Sequence, residues 1–294
     1  MVAAARRAIH LLYSPGIIYG LNQLPRESTP SVKETSSHPP FFLKKWYLDC
    51  IDDAGDAAIL YCAETRWCGL HLNYCSIVSM VGEVATSRTS LRCFHIYEGD
   101  REIGVELPGL KVIGKWNAGS APVQQTVYEN STGYVHWNCI QPRSFARIRI
   151  GDRELVGLGY VECLTLTLEP WQLPMRELRW GRFVSPRDAL VWIDWQGPYS
   201  TSFAFHNERK LDIHGVSESE LVAGGATLRM KDSTPIRLGR LRETVLPGAP
   251  ALGRIFPHSI FNVEECKWRS RGVLDVGDRR AEGWVIHEVV RWNI

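Results

Sequence analysis

The chain has 294 residues, 45% hydrophobic and 22% charged, a composition that supports a buried core and excludes disorder throughout. Its 34 basic and 32 acidic residues are mixed along the sequence and leave a formal net charge of +2, so no basic face for nucleic acid is expected. The eight cysteines form no CxxC pair and no zinc-knuckle spacing; this predicts no metal site and a reduced, cytoplasmic protein whose cysteines serve as small apolar residues.

In chain order, the apolar segment over residues 8–21 follows Arg6 and Arg7 but is split by Pro15 and Gly16, so no export signal is expected there. No apolar run reaches the roughly 20 residues of a membrane-spanning helix. At most a transient membrane contact is expected. The Asn130-Ser131-Thr132 sequon would matter only in an exported protein. Residues 24–40, rich in Pro, Ser and Thr, lack any apolar period, and residues 1–40 therefore read as a flexible arm. Folded structure is expected to begin at Phe41.

From Phe41 onward, short alternating or apolar segments are separated by turn residues, the pattern of an all-β, antiparallel protein. Predicted strands include WYLDCID (46–52), AAILYCAE (57–64), SLRCFHIYEG (90–99), GYVHWNC (133–139), FARIRIG (145–151), YVECLTLTL (160–168) and ALVWIDWQG (189–197). DAGD (53–56) reads as a turn, because it lacks the further oxygen ligands of a calcium loop. SESELVAG (217–224) is the one segment with a helical pattern, enough for a turn or two. A theme of glycine, aromatic and valine, with an ionisable residue one or two positions on, occurs at GYVHW (133), GYVEC (159) and GWVIH (283). Its spacing suggests two consecutive β-units, 41–150 and 151–294.

Strand parity singles out one carboxyl group. Alternate side chains of a strand share a face, so Tyr160, Glu162, Leu164, Leu166 and Leu168 project together. A glutamate among leucines loses solvation of its charged form, which raises its pKa and fits it to donate a proton. The alternative is a buried ion pair with Arg179 or Arg182. Eleven tryptophans supply faces for an apolar ligand or a carbocation; Trp137, Trp180, Trp192, Trp195 and Trp284 are the candidates. His287 and Glu288 point to opposite faces and are not a functional pair. No G-x-S-x-G elbow, P-loop or dinucleotide fingerprint occurs in strand-to-helix context.

The stretch GLGYVECLTLTLEPWQLPMRELRWGRF (157–183), followed by ALVWIDWQGP, ECKWRSRGVL and GWVIHEVVRW, resembles the carotenoid 1,2-hydratase family, also called hydroxyneurosporene synthase-like or AttH-like. The resemblance is good over 130–294 and thin over 41–130, where KKWYLDCIDDAG is similar to the family's first strand and turn. It implies two tandem lipocalin-like β-barrel units around a hydrophobic cavity, and alkene hydration or cyclisation without an organic cofactor. Tocopherol cyclase and fungal lipocalin-like pericyclases have related folds. A His/Trp pair and a Tyr-x-Asp in the family's acid machinery correspond to His136 and Trp137 and to Tyr160 and Glu162, with Glu in place of Asp. The expected ligand is a lipophilic isoprenoid or polyene. Three readings remain open: a hydratase or cyclase with Glu162 as acid and Tyr160 and His136 as its partners, a non-catalytic carrier, and a pericyclase that shapes a polyene without an acid.

Overall fold

Alternating burial along successive segments makes this chain a sequence of strands, and the computed structural model, which describes residues 41–292, arranges them in two antiparallel sheets. The predicted arm over residues 1–40 lies outside the described residues. The first sheet comprises β1 (Phe41–Ile51), β2 (Ala57–Trp67), β3 (Leu70–Val81), β4 (Val84–Ser90), β5 (His95–Glu98), β6 (Glu102–Leu107), β7 (Val112–Ala118), β8 (Val123–Asn130), β9 (Gly133–Ile150) and β10 (Arg153–Leu166). The second comprises β11 (Glu177–Val184), β12 (Ala189–Gln196), β13 (Thr201–His206), β14 (Arg209–Leu211), β15 (Ile213–Val216), β16 (Glu220–Ala223), β17 (Ala226–Arg240), β18 (Glu264–Val276) and β19 (Arg279–Arg291).

Their strand orders follow the same path: β4-β3-β2-β1-β10-β9-β7-β6-β5 in the first and β14-β13-β12-β11-β19-β18-β17-β16-β15 in the second, with β8 added beside β9. The two edges of each sheet are consecutive in the chain, β4 and β5 being joined by residues 91–94 and β14 and β15 by Asp212. A flat sheet of this many strands would be roughly 40 Å wide at ~4.8 Å per strand, far beyond the reach of such connections. Each sheet therefore curls round, as in a lipocalin-like barrel. The sheet boundary corrects the predicted unit boundary at residue 150. Residues 153–166 form β10, which pairs with β1 and β9 and completes the first sheet.

GYVEC and GWVIH fall on β10 and β19, which occupy equivalent places in the two sheets, whereas GYVHW opens β9 and has no such counterpart. A Cβ on Gly159 would press into the carbonyl of Asp49, and one on Gly283 into that of Val184. Asp49 and Val184 are the register partners of Tyr160 and Trp284, so the two glycines serve the same close approach. Gly159→Ala and Gly283→Ala are each expected to cost about 1–3 kcal/mol, measured by urea denaturation. SESELVAG is a turn and a strand. Ser217 Oγ accepts from the backbone N–H of Glu220, and β16 then buries Leu221 and Ala223 on alternate positions.

Three large cores follow from this layout. Trp46, Leu48, Leu60 and Trp116 fill the first sheet, while Phe183, Trp192 and Leu228 fill the second. The largest cluster draws on the other face of both sheets, including Tyr47, Trp137, Tyr160, Trp180 and Ile286, and joins them. Within this seam Arg182 donates to both carboxylate oxygens of Asp49, at 2.7 and 2.9 Å, with both side chains fully buried. Burial alone would depress the guanidinium's pKa, but the Asp49 carboxylate holds it charged. Among the described residues, no helix is long and apolar enough to cross a membrane.

Candidate active site

A cavity of about 420 Å³ opens in the seam between the sheets, not inside either barrel, and both sheets line it. The first contributes Leu43, Lys45, Tyr61, Trp137, Glu162 and Leu164; the second contributes Trp180, Ile193, Trp195, Arg237 and Glu288. One end is covered by residues 241–263, the connection between β17 and β18, through Leu241, Val245, Leu252, Phe256 and Ile260. These side chains come from short helical turns, among them Leu241–Thr244, Leu252–Ile255 and His258–Phe261.

Glu162 lies where strand parity predicts. Tyr160, Leu166 and Leu168 join the seam cluster, with Leu164 packed against it, whereas Val161 and Cys163 face the core of the first sheet. Three donors converge on one of its oxygens. Oε2 accepts from Trp137 Nε1 at 2.5 Å, Tyr160 Oη at 2.6 Å and Trp180 Nε1 at 3.2 Å. Among the described residues none donates to Oε1. Indole N–H groups only donate, so a protonated Glu162 presents Oε2 as its carbonyl and carries its proton on Oε1.

Burial raises the Glu162 pKa above the ordinary glutamate value, and the neighbouring Glu288 raises it further; the hydrogen bonds from Tyr160 and Trp137 and the charge of Lys45 oppose this. The net shift is upward. Burial also pushes the Tyr160 hydroxyl well up, so it remains a donor. Among the described residues Glu162 has no arginine partner: Arg182 pairs with Asp49, and Arg179 bonds Glu177 at 2.7 Å.

The other predicted residues divide. Trp137, Trp180 and Trp195 line the cavity, with Trp137 packed near Phe203 and Phe205 at 5.8 and 6.1 Å. His136 does not join them. It precedes Trp137 on β9 with opposite parity, is exposed, and stacks on Tyr134 at 4.0 Å. Trp192 is inside the second barrel, where it covers Gly181. Trp284 is likewise outside the cavity; it packs against Gly55 and under Arg269 and Arg271, whose guanidinium carbons lie 5.2 and 3.6 Å from its ring. Arg269 also donates to the backbone carbonyls of Gly55 and Gly82, so Trp284 and Arg269 clamp the second sheet to turns of the first.

Sequence reading missed a set of charged groups beside the acid. On β18 Glu265, Lys267 and Arg269 alternate on one face and are buried. Lys267 pairs with Glu288, and Arg237 bonds Glu265 at 3.2 Å. The Lys267 ammonium lies 5.2 Å from the Tyr47 ring and 5.3 Å from the Trp180 ring. Burial alone would lower its pKa, but Glu288 holds it protonated. His287, on the opposite face from Glu288, bonds Ser270 at 2.9 Å and is pushed down to about 4, first by burial and then by Lys267. The detectable signal was the i, i+2, i+4 alternation of charge in ECKWRSRG, which implies a single face carrying opposite charges.

Two curled antiparallel sheets with a ligand-sized cavity in their seam define the class as lipocalin-like. Solved structures share this fold. An AttH candidate from Nitrosomonas europaea superposes with a TM-score of 0.56 at 10% identity, over 92% of this chain and 99% of that one. CghA gives 0.56 at 10% identity over 86% and 88% of the two chains, and it has also been solved with Sch210972. Kievitone hydratase from Nectria haematococca gives 0.51 at 7% identity over 87% and 90%. At such identities the likeness is one of fold. No family model matches the sequence, and no curated protein does.

Proposed function

We propose that this protein is a cofactor-independent enzyme that protonates an alkene of an isoprenoid or polyene held between the two sheets, leading to hydration or cyclisation. The observation that carries this reading is the convergence of Trp137, Tyr160 and Trp180 on Glu162 Oε2, which leaves Oε1 for a proton at an apolar cavity. Proton transfer from Oε1 to an alkene carbon forms a C–H bond, consumes the π bond and leaves a carbocation beside the carboxylate. Tryptophan faces and the Glu162 charge stabilise that cation. Water can trap it, returning one proton to Glu162 and giving net hydration. A second alkene can trap it instead, with final proton loss to Glu162 giving a cyclised isomer.

The cavity volume is within the roughly 300–1,000 Å³ range of small-molecule sites. The name of kievitone hydratase, on the same fold, is compatible with water addition. A carrier or a pericyclase would use the cavity but give the acid no task; the arranged donors favour the enzyme. The test is turnover of polyene and isoprenoid alkenes in D₂O. Product should gain one deuterium on carbon, and Glu162→Gln should form it about 10²- to 10⁴-fold more slowly. Bound but unconverted ligand, with no exchange, would leave a carrier.

A pH profile adds an independent check. The acid must be protonated to react, so kcat should be flat at low pH and fall as pH rises through the elevated Glu162 pKa. A fall centred at an ordinary glutamate value would contradict the role.

A further inference from the structure

We propose that the substrate is amphiphilic, with an anionic oxygen head group held by Lys45 and the Tyr61 hydroxyl and an apolar chain along the tryptophan wall. This rests on the reading of the cavity as a lipophilic substrate site and specifies which lipophiles it takes.

Lys45 shares the seam face of β1 with Leu43 and Tyr47, and it lines the cavity. The other seam cations near it are paired, Arg237 with Glu265 and Lys267 with Glu288. Among the described residues Lys45 forms no ion pair, although its charge acts on Glu162 and Glu265, and its ammonium lies 5.3 Å from the Tyr61 ring. With Glu162 protonated, Lys45, Arg237 and Lys267 face only two carboxylates, Glu265 and Glu288, and one positive charge is left over.

Tyr61 supplies the second, independent observation. It is 7% exposed, lines the cavity, and its hydroxyl has no hydrogen-bond partner. A buried hydroxyl without a partner is uncommon and is satisfied when a ligand acceptor arrives. An ammonium over the Tyr61 ring and a hydroxyl donor on that same ring, both lining the cavity, fit a carboxylate or an acidic enol. A neutral hydrocarbon would leave both unmet.

The head group is also placed relative to the acid. Lys45 pairs in register with Leu164, two residues along β10 from Glu162, so anchor and acid are diagonal neighbours on adjacent strands. Anchoring the head there sets which stretch of the chain passes Glu162 Oε1.

The test uses parinaric acid, a fluorescent conjugated tetraene with a carboxylate head, and its methyl ester, titrated into the full chain. The acid should bind at least about ten-fold more tightly than the ester. Lys45→Met should abolish the preference for the acid over the ester, and Lys45→Arg should restore it. Tyr61→Phe should weaken the acid more than the ester. Equal binding of acid and ester to the unaltered protein, or a preference that survives Lys45→Met, overturns the head-group site and leaves the lipophilic cavity standing. Binding of neither probe overturns both.

Discussion

Glu162→Gln is expected to lower kcat by about 10²- to 10⁴-fold while substrate affinity stays within a few-fold of the original. Glutamine keeps a carbonyl oxygen where Oε2 accepts from Trp137, Tyr160 and Trp180, so the wall of the cavity is preserved. What it lacks is an acidic proton. Single-turnover kinetics with separately measured binding would distinguish this outcome from a packing defect; unchanged kcat would remove Glu162 from the chemistry. The same variant should alter stability with a defined sign. Burial raises the Glu162 pKa in the folded state, so its stabilising contribution is complete below the unfolded pKa and is lost as pH rises through the folded one. Relative to the original protein, Glu162→Gln should therefore gain thermal stability at alkaline pH, and that gain should disappear in acid. A constant difference across pH would contradict the upward shift.

Breaking the Asp49–Arg182 pair is expected to cost about 3–5 kcal/mol. The pair crosses the seam with both side chains fully buried, and Arg182 also donates to the Trp284 carbonyl at 3.2 Å. Arg182→Met leaves Asp49 as a buried carboxylate without its cation. For a domain of this size, the loss should lower Tm by roughly 6–20 °C. The double variant Asp49→Leu/Arg182→Met should recover much of the stability, because two apolar side chains replace two desolvated charges. If the double variant were as unstable as the single, the polar pairing itself would be indispensable to the joining of the sheets. Trp180 precedes Arg182 on the same face of β11, so loss of the pair should also disturb the indole that donates to Glu162.

Parity was the part of the site that could be read locally. Alternation over residues 160–168 puts Glu162 with Tyr160 and the leucines because a strand's side-chain period is two, whatever packs against it. The same rule separates His136 from Trp137. Adjacent residues on one strand cannot both face a cavity, so matching the family's His/Trp pair as two partners of one acid conflicted with the geometry of β9. The helical expectation over 217–224 rested on a short pattern, which a Ser217-centred turn followed by β16 overrode.

The partners of Glu162 required long-range information. Arg182 is slightly further along the chain from Glu162 than Trp180 and lies on the same seam face, yet it meets Asp49; Arg179 lies on the other face with Glu177. Beyond Tyr160, two residues away on the same face, the groups that reach the acid are Trp137 and Trp180, separated from it by 25 and 18 residues. Charges on β18 also read as solvent-facing until the other sheet covers them.

Composition and alternation, by themselves, determined an all-β chain and the face on which Glu162 projects, because those depend on local backbone geometry. A GYVEC/GWVIH echo also marked two strands that the fold makes equivalent. Only the tertiary structure decided that the cavity lies between the sheets, that indoles and a phenol rather than an arginine hold the carboxyl, and that Lys45 lines the cavity over the Tyr61 ring. Each of those depends on how two curled sheets meet, a packing of residues distant in the chain that local periodicity does not encode.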